Sequence, residues 1–205
     1  MKIINQNFYS KTNFCSKDLY RVNLKKDNQP LQVKAIQFDH SKGDTRLISH
    51  LALDWIDTEY MKNIVANYSC RHEQAVVIGI ASDKEDLSSK DIKSLVAYKD
   101  NITKGRKECK VLFLQASPEI ANNRKSSIKG AGIMALYTVV KHAKAKKCKK
   151  VNLMSTNHSF YEHIGFSKEP PISPLYSTRG FYLDEKDYDA FLSKVEEEYK
   201  FDCNA

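Results

Sequence analysis

Two apolar strands bracketing a single helix constrain this chain more than any other feature. VLFLQAS (Val111–Ser117) reads as the first strand, followed by a polar loop. Lys129-Gly130-Ala131-Gly132 then opens the helix IMALYTVVKHAKAKK, and VNLMST (Val151–Thr156) reads as the second strand, with NHSFYEHIGF (Asn157–Phe166) closing the unit. An apolar strand needs a sheet to bury it and an apolar helix stripe needs a sheet to cover, so the rest of the chain must supply layers around this unit.

The remaining pattern supplies them. Gln74–Ala81 (QAVVIGIA) is continuous and β-branched, as in a central strand covered on both faces, and Lys93–Lys99 is its expected hairpin partner. Leu19–Leu24 and Gln32–Phe38 read as strands around the turn-rich KKDNQP. From Arg46 to Ala66 the period is helical, with one stripe at Ile48, Leu51, Ala52 and Trp55 and a second at Leu53, Ile56, Tyr60 and Ile64: one buried helix or two short ones. Asp83–Asp91 and Asp100–Lys110 read as charged connections, and Pro170, Pro171 and Pro174 exclude a regular element after Phe166. A short strand is expected at Gly180–Leu183. A final helix follows, capped by Asp184, with Tyr188, Phe191, Leu192, Val195 and Tyr199 on one apolar face, facing core or a dimer partner. This order gives an α/β (α+β) class, with a mixed, strongly twisted sheet and helices on both faces.

A length of 205 residues with 41% hydrophobic content suits one domain spanning the chain. No window approaches a membrane span and Met1–Lys11 lacks an apolar export core, so the expectation is a soluble, cytoplasmic protein, monomer or homodimer. Cys15, Cys70, Cys109, Cys148 and Cys203 are odd in number and widely spaced, which disfavours a disulfide framework or a zinc site; no metal is expected. The net charge of +8 fits an acidic partner without choosing between a phosphate-bearing small molecule and nucleic acid. Six lysines between Lys141 and Lys150 read as a solvated helix end, or more sharply as a patch for nucleic acid.

Gly130 and Gly132 sit where a loop becomes a helix, where backbone N–H groups lack partners and the dipole favours an anion. Without side chains, the main chain there can close on a phosphate. A P-loop is excluded, because Ile133 and Met134 follow Gly132 in place of Lys and Ser/Thr. A dinucleotide fingerprint needs a tight turn directly after the strand and an acid at the end of the next one, and neither is present.

The strand, the x-x-G-x-G helix start, the second strand and Phe160-Tyr161-Glu162-His163-Ile164-Gly165-Phe166 together resemble the GNAT superfamily of acyl-CoA-dependent N-acetyltransferases, over about residues 111–166. Two departures stand out: Ser127 occupies the position where that family usually has Arg or Gln, leaving Arg124, Lys125 and Lys129 as nearby cations, and the loop Pro118–Ile128 is longer than its common form. The resemblance implies that Val111–Ser117 and Val151–Thr156 are neighbouring parallel strands that splay, with the pantetheine arm of acetyl-CoA between them. It implies a cradle of Ser127, Ile128, Lys129, Gly130, Ala131, Gly132 and Ile133, and main-chain contacts from Phe113, Leu114, Gln115 and Ala116. Phe160 joins the cofactor-contacting set, and Asn157 and Ser159 either bond pantetheine or cap the short helix that starts there. Tyr161 is the expected acid for the leaving thiolate, since an ordinary phenol stays protonated at neutral pH; its alternative is aromatic packing. Glu119 is the nominated base, with His72, Glu73, His158 and His163 as alternatives. With no Cys–His pairing in the matched stretch, direct attack by the amine is expected, not a covalent enzyme intermediate. The acceptor is an amine on a small molecule or protein. Two other readings stay open: a toxin or effector that acetylates aminoacyl-tRNA or a protein lysine, and a non-catalytic basic binding module.

Overall fold

The structure, a computed structural model, describes residues 17–38, 44, 51, 54–55, 75–103, 105–121, 126–170 and 177–199. Outside these lie most of the helical stretch 46–66, the candidate bases His72 and Glu73, the cations Arg124 and Lys125, Pro171 and Pro174, and Cys15, Cys70 and Cys203. The elements are β1 (Lys17–Lys26), β2 (Gln29–Gln37), β3 (Val76–Ser82), β4 (Ile92–Thr103), β5 (Arg106–Ala116), α1 (Pro118–Ala121), β6 (Ile128–Lys129), α2 (Ala131–Ala145), β7 (Lys150–Ser155), α3 (His158–His163), β8 (Ser167–Lys168), β9 (Arg179–Asp184) and α4 (Tyr188–Tyr199). They build one nine-stranded sheet in the order β6-β1-β2-β3-β4-β5-β7-β9-β8. Every neighbouring pair is antiparallel except β5 and β7, which the helix α2 connects as a parallel crossover.

Local chemistry sets the two hairpins. Between β1 and β2, Asp27 and Asn28 both take positive φ (51° and 62°), the turn geometry that matches strand twist and that Asp and Asn tolerate. The stretch Asp100–Lys110, expected as a connection, is instead the far end of the β4/β5 hairpin, closed at Gly105 and paired rung by rung from Asp100↔Cys109 to Thr103↔Arg106. Backbone pairing makes this part a strand although water bathes most of its side chains, so the apolar alternation that would announce it is missing. Lys107 and Asp100 add an ion pair at 3.2 Å across the two arms.

The sheet has a core on each face. On one, α2 and α4 lie antiparallel over Val22, Ile80, Val96, Val111 and Val151. Their pairing is fixed by Tyr137 Oη donating to Glu196 at 2.6 Å and by the contact of Lys144 with Asp189. The apolar face of α4 is therefore core, and the dimer alternative for it is not needed. On the other face Leu51 and Trp55 pack with Ile36, Val77, Leu95 and Phe113. Asp184 makes no side-chain cap; it starts a short 3-10 turn, Glu185–Asp187, whose Glu185 N–H reaches Lys149 O at 3.0 Å. Several of the lysines of 141–150 have partners. Lys141 lies 4.4 Å over the Tyr20 ring, Lys149 pairs with Glu185 at 2.7 Å and Lys150 reaches Glu169 at 3.9 Å.

The β3–β4 connection is locked by Asp91. Its carboxylate accepts from Lys84 Nζ at 2.8 Å, Ser88 N–H at 3.0 Å and Ser88 Oγ at 2.7 Å. Burial pushes this carboxyl up, but the bonds from Lys84 and Ser88 outweigh it and hold it below the usual carboxylate range. A depressed native pKa means stability that is present above the unfolded value and lost as pH falls through the folded one. Asp91→Asn is expected to cost about 1–3 kcal/mol at pH 7. In urea unfolding, the gap between variant and parent should shrink from pH 7 to pH 3; a constant gap would assign the bonds no ionic component.

Candidate functional site

The parallel strands β5 and β7 pair over three rungs only, Glu108↔Lys150, Cys109↔Val151 and Lys110↔Asn152. Beyond them the strands separate. The cause lies in β5: Ala97 of β4 faces Phe113 while the next residue, Tyr98, faces Val111, so Leu112 is an extra residue with no opposite number. Such a bulge bends its strand and raises the local twist. It also switches the side chains: Cys109 and Val111 join the core under α2, Phe113 joins the core on the far face, and Leu114 turns back to the α2 side. The outer edges of both strands remain fully paired, β5 with β4 through Ala116↔Ser94 and β7 with β9 through Ser155↔Arg179. The gap is thus held open by its own walls. Along it, the inner edge of residues 112–116 has no strand partner among the described residues, an edge able to bond an extended ligand with amides of its own.

At the helix end of this gap, the first α-helical bond of α2 runs from Met134 N–H to Gly130 O at 2.8 Å, leaving the amides of Ala131, Gly132 and Ile133 without intrahelical partners. No side chain caps them and no acid lies in the first turn. Ser94 Oγ donates to Ala131 O at 2.7 Å, in a buried bond that ties this turn to β4. The loop before it, longer than a simple turn, is anchored too: Ser127 O accepts from Asp27 N–H at 3.1 Å, and Ile128–Lys129 add β6 to the edge of β1 opposite Lys25 and Lys26. Lys129 is exposed beside the free amides.

The two glycines differ in what requires them. Gly130 has φ +93°, and a Cβ there would lie 2.2 Å from the Tyr199 ring, so its own fold demands glycine. At Gly132 a Cβ would meet only Phe160 Cζ at 3.7 Å, an ordinary contact, so the fold leaves Gly132 free to vary. Phe160 of α3 is thus the side chain nearest to Gly132 of α2.

The YEHIGF segment has a mechanical meaning. Gly165 at φ +100° ends α3, with its N–H bonded to Glu162 O at 3.1 Å and the N–H of Phe166 bonded to Tyr161 O at 2.9 Å. This is the Schellman stop, and its usual apolar contact is present between the Phe166 and Tyr161 rings at 5.9 Å. Helix α3 is thereby fixed in length and rotation, and Tyr161 with it. Tyr161 is 6% exposed, stacked on Phe181 at 5.2 Å and edge-on to Phe160 at 5.0 Å. The aromatic packing weighed from sequence for Tyr161 is present.

Asn157 caps α3 through Oδ1, which accepts from Phe160 N–H at 3.4 Å, so the capping alternative is the one the fold uses; Ser159 is exposed in the same turn. Among the candidate bases, His158 contacts Ser177 O at 2.8 Å through Nε2, and His163 is exposed. Glu119 lies on α1, directly after β5, at a 320 Å³ cavity shared with Asp54, Trp55 and Ser117. This cavity adjoins the far-face core, while Tyr161 belongs to the core under α2. Sequence reading missed Glu108 and Asn152, whose side chains bond at 2.8 Å beside the last rungs before the gap. The strand signal began only at Val111, so Glu108 fell in a supposed connection.

No family model and no curated protein sequence matches the chain. Solved structures do match in fold. A protein from Desulfovibrio desulfuricans classed with the GNAT acetyltransferases superposes with a TM-score of 0.52 at 14% identity, over 69% of this chain and 92% of that one. A GNAT-family acetyltransferase from Staphylococcus aureus Mu50 gives 0.50 at 14% identity over 75% and 99%. A chain of the NatC complex, solved with Gag peptide and CoA, gives 0.50 at 10% identity over 74% and 98%. Among the described residues no helix is long and apolar enough to cross a membrane.

Proposed function

We propose, from the GNAT acetyltransferase fold that this chain shares, that it is an acyl-CoA-dependent N-acetyltransferase moving an acetyl group to an amine by direct attack. The observation that carries this reading is the open gap between β5 and β7 beside three helix amides with no partner among the described residues. A long ligand with an anionic head and an amide-bearing arm suits both features: a diphosphate on the amides of Ala131, Gly132 and Ile133 with Lys129 nearby, and the arm along Phe113, Leu114, Gln115 and Ala116. Acetyl-CoA, as co-substrate, supplies the thioester. The protein's task is then to orient, to meet the charge that develops on oxygen, and to move two protons.

For the first proton, the Tyr161 hydroxyl is the proposed donor to the departing sulfur. For the second, Glu119 is the proposed acceptor from the amine. The bulge at Leu112 leaves a main-chain group free for the carbonyl oxygen. Holding the donor on a helix whose length is set by Gly165 keeps its position independent of the ligand.

Calorimetry with coenzyme A and a free-thiol release assay with mixed amines test the reading directly; absence of binding heat would end it. Gly132→Ala separates this use of the turn from ordinary folding. Because a methyl group fits there and alanine is the better helix residue, the melting temperature should hold or rise. Coenzyme A affinity should drop about tenfold, because the added Cβ pushes the diphosphate off the amides. Unchanged affinity would move the anion elsewhere.

A further inference from the structure

The face of the sheet turned away from α2 carries a cavity of about 690 Å³ with no part in the scheme above. Arg106, Glu108 and Lys110 of β5 alternate with buried Cys109 and Val111, so they share one face. Lys150 and Asn152 of β7 line the same hollow, alternating with buried Val151 and Leu153. Lys110 and Asn152 form the last rung before β5 and β7 part. The cavity therefore passes the apex of the gap and continues along β7 to Met154, and a molecule seated in it reaches the apex from the side opposite α2.

Its charges are unevenly matched. Glu108 accepts from Asn152 Nδ2 at 2.8 Å, and Lys150 has Glu169 at 3.9 Å and the Tyr182 ring at 4.3 Å. Arg106 and Lys110 have no acidic partner among the described residues. Their Cα positions lie about 14 Å apart along one strand face, four residues at 3.4 Å each, a span that two long side chains reaching toward each other can close, with Glu108 between them.

We infer that this cavity takes the acceptor, and that the acceptor is an amine carrying an anionic group, a carboxylate or a phosphate, held by Arg106 and Lys110. The inference rests on the acetyl-transfer reading. An anion gains charge-assisted bonds from both side chains, and the Arg106 guanidinium suits the two-oxygen edge of either group. A polycationic amine meets repulsion at both places, and the two lining acids are already engaged, Glu108 by Asn152 and Glu169 by Lys150. Lys110, next to the apex, has a second effect. A nearby cation disfavours the ammonium form of the incoming amine, and only the neutral amine attacks.

The test uses four small amines with the full chain: phosphoethanolamine and β-alanine, which carry the two anion types, against ethanolamine and putrescine. Binding is read by calorimetry and transfer by thiol release. Phosphoethanolamine or β-alanine should exceed ethanolamine and putrescine by about tenfold in affinity and in kcat/KM, and whichever of the two leads identifies the anion. Both side chains are exposed, so R106Q/K110Q should keep the parent melting temperature and lose that preference about tenfold. Equal binding of all four, a preference for putrescine, no binding by any, or an undiminished preference in the double variant would each overturn the inference. Coenzyme A titrated into the same protein separates the failures. Heat with coenzyme A but no anion preference sinks only the acceptor class, whereas anion preference without coenzyme A heat sinks the transferase reading and leaves an anion site.

Discussion

Tyr161→Phe is expected to lower turnover by about 100- to 10,000-fold, the range that one positioned proton donor contributes. The substitution removes a single oxygen. The phenylalanine ring keeps the stack on Phe181, the edge contacts with Phe160 and Phe166 and the Schellman stop that orients α3, because none of these uses the hydroxyl. Coenzyme A affinity should therefore stay close to the parent, and the loss should fall on kcat. Steady-state thiol release with calorimetry on the same preparation reads both. If kcat is retained, the aromatic cluster is the whole role of Tyr161; if affinity falls in step with kcat, the side chain holds ligand and does not donate a proton.

The largest stability effect is expected at Gly130. Alanine there must take φ near +93°, which costs an L-residue about 1–2 kcal/mol. Its Cβ would also stand 2.2 Å from Tyr199 Cε1 and 2.6 Å from Cζ and Oη. Tyr199 is 4% exposed, with Lys25 Nζ 4.8 Å over its ring and Lys25 paired to Glu198 at 3.1 Å, so the ring has little room to retreat. Overpacking of this kind adds about 1–3 kcal/mol, for a total of roughly 2–5 kcal/mol. Denaturant midpoints measure it, and Tyr199→Ala in the Gly130→Ala background supplies the control. With the ring gone the steric part disappears, and the two costs should combine to less than their sum. A Gly130→Ala protein as stable as the parent would contradict both the positive φ and the ring contact.

These two positions show how the sequence conveys different kinds of information. Gly130 was legible as special, but the reason assigned to it, room for a phosphate, was incomplete. A partner 69 positions away in the chain makes the glycine obligatory, and no local pattern announces such a contact. Gly132, its neighbour in the motif, has no such structural duty and is the better probe of ligand binding. Glu108 was lost for the converse reason. It lies in a hairpin arm made by backbone pairing, where the side chains are too solvated to show the apolar alternation that reveals strands. Pro118, in the first position of α1, is a signal for that short helix that a loop reading passed over.

What the sequence determined by itself is local: the apolar runs of β3, β5 and β7, the amphipathic stripe of α4, the turn at Asp27 and Asn28, and the helix stop at Gly165. Each depends on the residues within a turn or two of itself, so periodicity and backbone preference suffice. Only the tertiary structure decided where β5 leaves β7, because that point is set by the register of β5 against β4 and the one unmatched residue, Leu112, it contains. The same registers chose the side chains that meet on the far face, where Arg106 and Lys110 have no ion pair among the described residues. Strand pairing couples distant segments, and a one-residue shift in it turns every side chain beyond to the other face.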